Sequence, residues 1–94
     1  MSYSTITTCV GDFAFQSRVT ACVAQEQIAR DEPAIPSTIL PPMLWAVASA
    51  SDVEDAYAYA LNTGNPNPGG DETVITDGMI LAHVQANWPA APTP

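Results

Sequence analysis

The chain has 94 residues, enough for one small domain, and it carries ten carboxylates against two arginines and no lysine. With a formal net charge of -8, it has too few basic side chains to bind a nucleic-acid backbone or an anionic membrane surface, so both are excluded as partners. Hydrophobic residues make up 47% of the chain, a share typical of a folded protein rather than a disordered one.

Residues 1–10 are rich in Ser and Thr, whose side chains compete with the hydrogen bonds of a helical backbone. This composition predicts an extended N-terminal arm, or at most one helical turn after Ser4. The segment lacks the basic start and the continuous apolar run of a signal peptide, and no apolar stretch approaches the ~20 residues of a membrane span. We therefore expect the chain to stay in a cytoplasm until it assembles.

The two cysteines are Cys9 and Cys22. A reducing cytoplasm favours free thiols over a disulfide. Cys22 also falls at a helical core spacing, where a free cysteine behaves as a small apolar residue. The sequence therefore favours two buried thiols, with a disulfide or a metal site as the alternative.

The first predicted helix begins after Gly11, with Asp12 as its N-cap, and continues to Arg30. At 100° per residue, one side of this helix holds Phe15, Val19, Cys22 and Val23. The opposite side holds Phe13, Ala21, Ala24 and Ile28. A helix that is apolar on two opposite sides normally has both sides covered by other parts of a protein. A domain of this size offers few residues that could cover the second side of this helix. The pattern therefore predicts that one side contacts another chain.

A second helix is predicted from about Pro41 to Ala50, because prolines are tolerated in a first helical turn. Pro33 and Pro36 separate it from the first helix, since each proline forces the residue before it out of the helical conformation.

The third predicted helix begins at Ser51, which stands three residues before Glu54 at the spacing of a capping box. Its apolar stripe follows at helical spacing and consists of Val53, Ala56, Tyr57, Ala60 and Leu61. Gly64 is predicted to end this helix in the left-handed conformation.

Residues 65–72 combine Asn, Pro and Gly and predict a loop. A last helix is predicted to begin near Thr76 or Asp77 and to end at Pro89, with Ile80, Leu81, Val84 and Trp88 on its apolar side. The fold class is therefore all-α, a small bundle of three to four short helices. An N-terminal arm (1–10), a helical domain (11–88) and a Pro/Ala-rich C-terminal tail (89–94) make up the predicted organisation.

Catalytic and metal-binding constellations are absent from the sequence pattern. His83, the single histidine, lies off the apolar side of its helix, and the local sequence supplies neither a nucleophile nor an orienting carboxylate. Helix capping explains the carboxylates at 52, 54 and 55, and the prolines beside Asp71 and Glu72 are incompatible with a calcium loop. No lysine follows Gly69-Gly70, as a phosphate loop requires. We expect no enzymatic activity, no cofactor, no metal and no small-molecule substrate.

Four large side chains are the candidate protein-interface residues: Phe13, Ile28, Tyr59 and Trp88. Phe13 and Ile28 belong to the second side of the first helix. Tyr59 points away from the apolar stripe of the third helix, and aromatic residues with one wet edge are favoured at interfaces.

Two segments, residues 12–22 (DFAFQSRVTAC) and 76–89 (TDGMILAHVQANWP), resemble small structural proteins of tailed bacteriophages, especially those that infect high-GC actinobacteria. Fifteen alanines and the absence of lysine fit a high-GC genome. The resemblance implies a virion protein that is bound at the capsid or the head–tail connector. It also implies other virion proteins as partners, many copies in a large assembly, and assembly in the host cytoplasm.

Two functions from different classes fit this sequence. The first is a non-enzymatic structural protein that docks through apolar helix faces and terminal arms. The second is a small acidic regulator that mimics nucleic-acid charge and occupies a basic surface of a host enzyme. A mimic needs a row of exposed carboxylates, whereas these carboxylates gather at helix ends, where capping explains them. The sequence therefore favours the structural protein and leaves the regulator as the alternative.

Overall fold

The computed structural model describes residues 3–32, 38–70 and 73–88, which contain five α-helices and one 3₁₀ turn. They are α1 (Tyr3–Val10), α2 (Phe13–Ala29), α3 (Leu40–Ala48), α4 (Ser51–Asn62), the 3₁₀ turn (Pro68–Gly70) and α5 (Asp77–Ala86). No strand occurs in these ranges, so the predicted all-α fold class is confirmed. The predicted C-terminal tail, residues 89–94, lies outside the described residues.

Residues 3–10 form helix α1, where the sequence predicts an extended arm. Ile6 and Cys9 stand three residues apart on one face of α1, and both are buried in the core. The helix packs against α3 and α4. Burying these two side chains outweighs the low helix preference of the neighbouring threonines. The expectation of an extended arm is corrected for this segment, which is part of the folded domain.

Helix α2 begins as predicted, with Asp12 as its N-cap. Asp12 Oδ1 accepts hydrogen bonds from the backbone N–H groups of Ala14 (2.9 Å) and Phe15 (3.3 Å). The helix ends in a Schellman motif, in which Asp31 adopts φ 53° and the Glu32 N–H donates to the Gln27 carbonyl at 3.1 Å. Its buried side consists of Phe15, Val19, Cys22, Val23 and Glu26.

The second oxygen of Asp12 joins α2 to two other elements. Oδ2 accepts hydrogen bonds from the Tyr57 hydroxyl of α4 (3.1 Å) and from the Gly69 N–H of the 3₁₀ turn (3.4 Å). Only glycine fits at position 69, because a Cβ there would lie 2.7 Å from Phe15 Cβ and 2.9 Å from the Phe15 backbone nitrogen. The turn therefore sits directly on the first turn of α2.

Arg18 holds the segment that follows the 3₁₀ turn. Its Nη1 donates to the Gly69 carbonyl at 2.9 Å, and its Nη2 donates to the Ile75 carbonyl. Both Nη2 and Nε reach Asp77 Oδ1, at 3.0 Å and 3.2 Å. These bonds hold Ile75 in the core and fix the start of α5 against α2. Sequence reasoning did not single out Arg18, although it is one of only two cations facing ten carboxylates.

The hydrophobic core lies where α2 packs on α5 and where α1 packs on α3 and α4. Its fourteen described members are Ile6, Cys9, Phe15, Val19, Cys22, Val23, Met43, Val47, Ala48, Val53, Tyr57, Ile75, Ile80 and Val84. All four residues that the sequence assigns to the first side of α2 are among them, so that assignment is confirmed.

Helix α4 has Ala50 as its N-cap, so the predicted capping box of Ser51 and Glu54 does not form. Ser49 already closes α3, which leaves Ala50 as the one extended residue between the two helices. Ser51 is exposed in the first helical turn, whereas Glu54 is buried and its Oε2 accepts no hydrogen bond from the described residues.

The apolar stripe of α4 is confirmed at three positions, since Val53, Tyr57 and Ala60 are buried. Leu61 departs from the prediction, because 41% of it is exposed. Gly64 has φ 82°, and its N–H donates to the Leu61 carbonyl at 3.1 Å, which confirms the predicted helix end.

Replacing Gly69 by alanine tests the contact between the 3₁₀ turn and α2. We expect Gly69→Ala to lower the free energy of unfolding by about 1–3 kcal/mol, because the new methyl group overlaps Phe15. Gly70→Ala is the matched control, since its Cβ would meet nothing nearer than Ala14 Cβ at 3.4 Å. Urea unfolding of both variants measures the difference, and equal stability would contradict the packing at position 69.

Two cap substitutions test the observed helix starts. Thr76 caps α5, accepting a hydrogen bond from the Met79 N–H at 3.1 Å, so Thr76→Ala should cost about 1 kcal/mol. Ser51→Ala should change stability by less than about 0.5 kcal/mol, because Ser51 caps nothing. Thermal unfolding of both variants distinguishes these outcomes. If Ser51→Ala lowered stability as much as Thr76→Ala does, the Ser51 side chain would cap α4 and the absence of the capping box would be contradicted.

Candidate functional site

The exposed side of α2 is the candidate functional site. Helix α2 buries its other side against α5, the 3₁₀ turn, α3 and α1. Six exposed residues fall within a sector of about 100° around the helix. We call this set the α2 stripe, and its members are Phe13, Ser17, Thr20, Ala21, Ala24 and Ile28. It includes all four residues that the sequence places on the second side of this helix.

Two large apolar side chains mark the ends of the α2 stripe. Phe13 is 80% exposed and Ile28 is 79% exposed. They stand about 22 Å apart along the helix axis, at 1.5 Å per residue. Between them the stripe holds only small residues, and the Thr20 hydroxyl donates to the Gln16 carbonyl of its own helix at 2.8 Å. The result is a continuous surface without charge, unlike a lone exposed apolar residue, which is common.

A shallow groove of about 380 Å³ runs beside the stripe, between α2 and α5. Ser17 and Ala21 of the stripe form one of its walls, and Gly78 and Leu81 of α5 form the other. Arg18 and Asp77 also line the groove, so the surface that continues from the α2 stripe onto α5 is partly apolar and partly charged.

Polar contacts anchor α2 from the sides that face the rest of the chain. Besides Asp12 and Arg18, Glu26 accepts hydrogen bonds from Gln85 Nε2 (2.9 Å) and Arg30 Nε (2.5 Å). Gln85 and then Arg30 lower the pKa of the Glu26 carboxyl below its ordinary value. Helix α2 is thus fixed near its start, its middle and its end, and it presents the stripe as a preorganised face.

The structure separates the four predicted interface residues. Phe13 and Ile28 share the α2 stripe, whereas Tyr59 is 63% exposed on α4. Trp88 is partly buried against the core, and its Nε1 donates to Glu32 Oε1 at 2.6 Å. The Arg30 guanidinium lies over its ring, 5.2 Å from the centroid. Trp88 therefore packs against the end of α2 in its own chain and lies outside the α2 stripe.

His83 has a carboxylate partner that local sequence reasoning did not find. Its Nε2 lies 2.7 Å from Asp52 Oδ1, which connects α5 to the first turn of α4. The two residues are 31 positions apart, so only the tertiary fold brings them together. The pair links two helices at the surface.

Neither cysteine is in a disulfide, and both thiols are buried. Burial, with a smaller contribution from Asp12, raises the pKa of Cys9 to about 12. Burial, followed by Asp77, also raises the pKa of Cys22. In the part of the chain that the structure describes, no three His, Cys, Asp or Glu side chains come together as metal ligands. Both thiols stay protonated at neutral pH, where a thiol is a poor nucleophile.

Comparison of the chain with known protein families, with curated proteins and with solved structures finds no match. None of the helices within residues 3–32, 38–70 and 73–88 is long and apolar enough to cross a membrane.

The buried thiols can be tested by alkylation. At about pH 8 we expect Cys9 and Cys22 of the folded chain to react with iodoacetamide at least tenfold more slowly than in urea, because only the thiolate reacts. Mass spectrometry of timed samples measures both rates. Equal rates in the folded and unfolded chain would contradict the burial of the thiols.

Proposed function

We propose that the chain is a non-enzymatic structural protein of a phage virion that docks to other virion proteins through the α2 stripe. The observation that carries the proposal is the uncharged stripe with Phe13 and Ile28 almost fully exposed at its ends. Burying a large apolar side chain is favourable by about 1.5–3 kcal/mol of free energy relative to leaving it exposed to water. Such a face on a well-anchored helix favours association with another apolar surface.

The reactive side chains support a role without catalysis. His83 and Asp52 pair with each other across two helices. Both cysteines are buried, and burial is the leading cause of their raised pKa values. These groups stabilise the fold, which leaves docking as the activity that the exposed surface favours.

The phage assignment rests on the sequence resemblance of residues 12–22 and 76–89. In the fold, these segments belong largely to α2 and α5, which pack directly against each other. The first segment contains the start of the stripe, and the second contains the helix that supports it. The resemblance thus covers one structural unit, the helix pair that presents the docking surface.

The carboxylates argue against the acidic regulator. Of the eight carboxylates in the described residues, five accept hydrogen bonds within the chain: Asp12, Glu26, Glu32, Asp52 and Asp77. Glu54 is buried. A nucleic-acid mimic needs rows of exposed, unengaged carboxylates, and most of those in the described part of the chain serve the fold instead.

Mass spectrometry of purified particles of the phage that encodes this chain tests the proposal. We expect the chain in the particles, and we expect Phe13→Ser to reduce its amount, relative to the major capsid protein, by roughly tenfold. Leu61→Ser is the control, because it removes an exposed apolar side chain from α4 and should leave incorporation unchanged.

Absence of the wild-type chain from the particles would overturn the virion role. Recovery of the chain on a host enzyme with a basic surface would replace that role by the regulator. Full incorporation of Phe13→Ser would show that docking uses another surface.

A further inference from the structure

We propose that the partner of the α2 stripe is the same stripe of a second copy of this chain. The two helices pack antiparallel about a two-fold axis that passes midway between Thr20 and Ala21. This inference deepens the proposed function and rests on it, because it names the first occupant of the docking surface.

The order of residues along the stripe is self-complementary. In an antiparallel pair with this centre, Phe13 lies level with Ile28 of the second copy, because the two residues are equally far from the axis. Ser17 likewise lies level with Ala24 of the second copy, and Thr20 with its Ala21. Every member of the stripe is matched by another member, as a two-fold interface requires.

The sizes of the matched residues fit close packing. The inner residues are Ser, Thr and Ala, which allow two helix axes to approach to the short end of the usual 8–10 Å. Phe13 and Ile28 of the two copies then pack side by side at both ends and cover the inner residues from water. A parallel pair would instead place Phe13 against Phe13 at one end and Ile28 against Ile28 at the other.

The uncharged stripe permits contact with a second copy, and the helix dipoles favour the antiparallel orientation. The chain has a net charge of -8, yet no member of the stripe is charged, so two copies can meet there without placing carboxylates in contact. Antiparallel packing puts the positive N-terminal end of each α2 beside the negative C-terminal end of the other. Parallel packing would bring like ends together, along with the exposed Asp31 of both copies.

The area fits a reversible dimer. Four large side chains, two from each copy, are about four-fifths exposed before contact. With the small residues between them, burial of both stripes removes on the order of 1,000 Å² from water, the lower bound for a specific interface.

Sedimentation equilibrium of the full chain tests the dimer. We expect a monomer–dimer equilibrium with a Kd between about 1 µM and 1 mM, which is typical of small interfaces. Phe13→Ser should raise that Kd at least tenfold, because symmetry removes two phenylalanines from each dimer. Tyr59→Ser, which removes an exposed aromatic ring from α4, should leave the Kd unchanged. Because Phe13 is exposed, Phe13→Ser should keep the thermal midpoint of the unsubstituted chain, and measuring that midpoint checks that the variant folds.

Cysteine cross-linking tests the register. Ser17→Cys and Ala24→Cys are made in chains with tags of different size, and the unsubstituted chain measures the background of the buried native thiols. In the antiparallel register, the Cα atom of residue 17 in one copy and the Cα atom of residue 24 in the other come within the 4.4–6.8 Å that a disulfide spans. Oxidation should therefore link the mixed variants into a heterodimer and link neither variant to itself.

Three results would overturn the inference: a monomer at every concentration, a Kd that responds to Tyr59→Ser and not to Phe13→Ser, or self-linked variants without the mixed product. These results are independent of the particle experiment. A monomeric chain that still enters particles through Phe13 would leave the proposed function standing with a different partner. A dimer that is absent from particles would leave the inference standing without the virion role.

Discussion

One carboxylate, that of Asp12, fixes the relative positions of three parts of the fold. Its Oδ1 caps α2 through the N–H groups of Ala14 and Phe15, while its Oδ2 accepts from the Tyr57 hydroxyl and the Gly69 N–H. An anion at a helix N-terminus is also stabilised by the helix dipole. Burial and the nearby Asp12 raise the pKa of Tyr57, so this hydroxyl keeps the proton that it donates. The start of α2, the middle of α4 and the 3₁₀ turn are therefore interdependent.

This constraint determines which side of α2 stays exposed. Asp12, Arg18 and Glu26 direct their hydrogen bonds toward α4, the 3₁₀ turn, Ile75, α5 or the two ends of α2 itself. Both arginines are used in these contacts, Arg18 with Asp77 and Arg30 with Glu26. None of the hydrogen bonds of these three residues reaches the stripe side of α2, where the Thr20 hydroxyl donates to the Gln16 carbonyl of the same helix. The same contacts that stabilise the domain thus leave the uncharged α2 stripe available to other chains.

Sequence reasoning correctly predicted the features that depend on interactions between residues close together in the sequence. The cap at Asp12, the two sides of α2, the start of α5 near Thr76 and the left-handed Gly64 depend on neighbouring residues alone. It was wrong about residues 3–10, because helix α1 is stabilised by burying Ile6 and Cys9 against distant helices rather than by its own composition. It predicted correctly that α4 begins at Ser51, but it assigned a capping box to Ser51 and Glu54, whereas the two-residue connection from α3 makes Ala50 the N-cap. The partners of Arg18 lie 51 to 59 positions away, beyond the reach of any local rule.

The acidity of the chain and the neutrality of the stripe have a common consequence. Across the rest of the surface, a net charge of -8 discourages unspecific contact between copies. At physiological salt, charges further apart than the ~8 Å Debye length are largely screened, whereas carboxylates in contact are not. Two copies can therefore approach closely only where carboxylates stay out of contact range, and the stripe meets that condition. The excess of carboxylates thus acts as a specificity device, because it disfavours contact between copies at the faces that carry carboxylates and leaves the stripe open to apolar association.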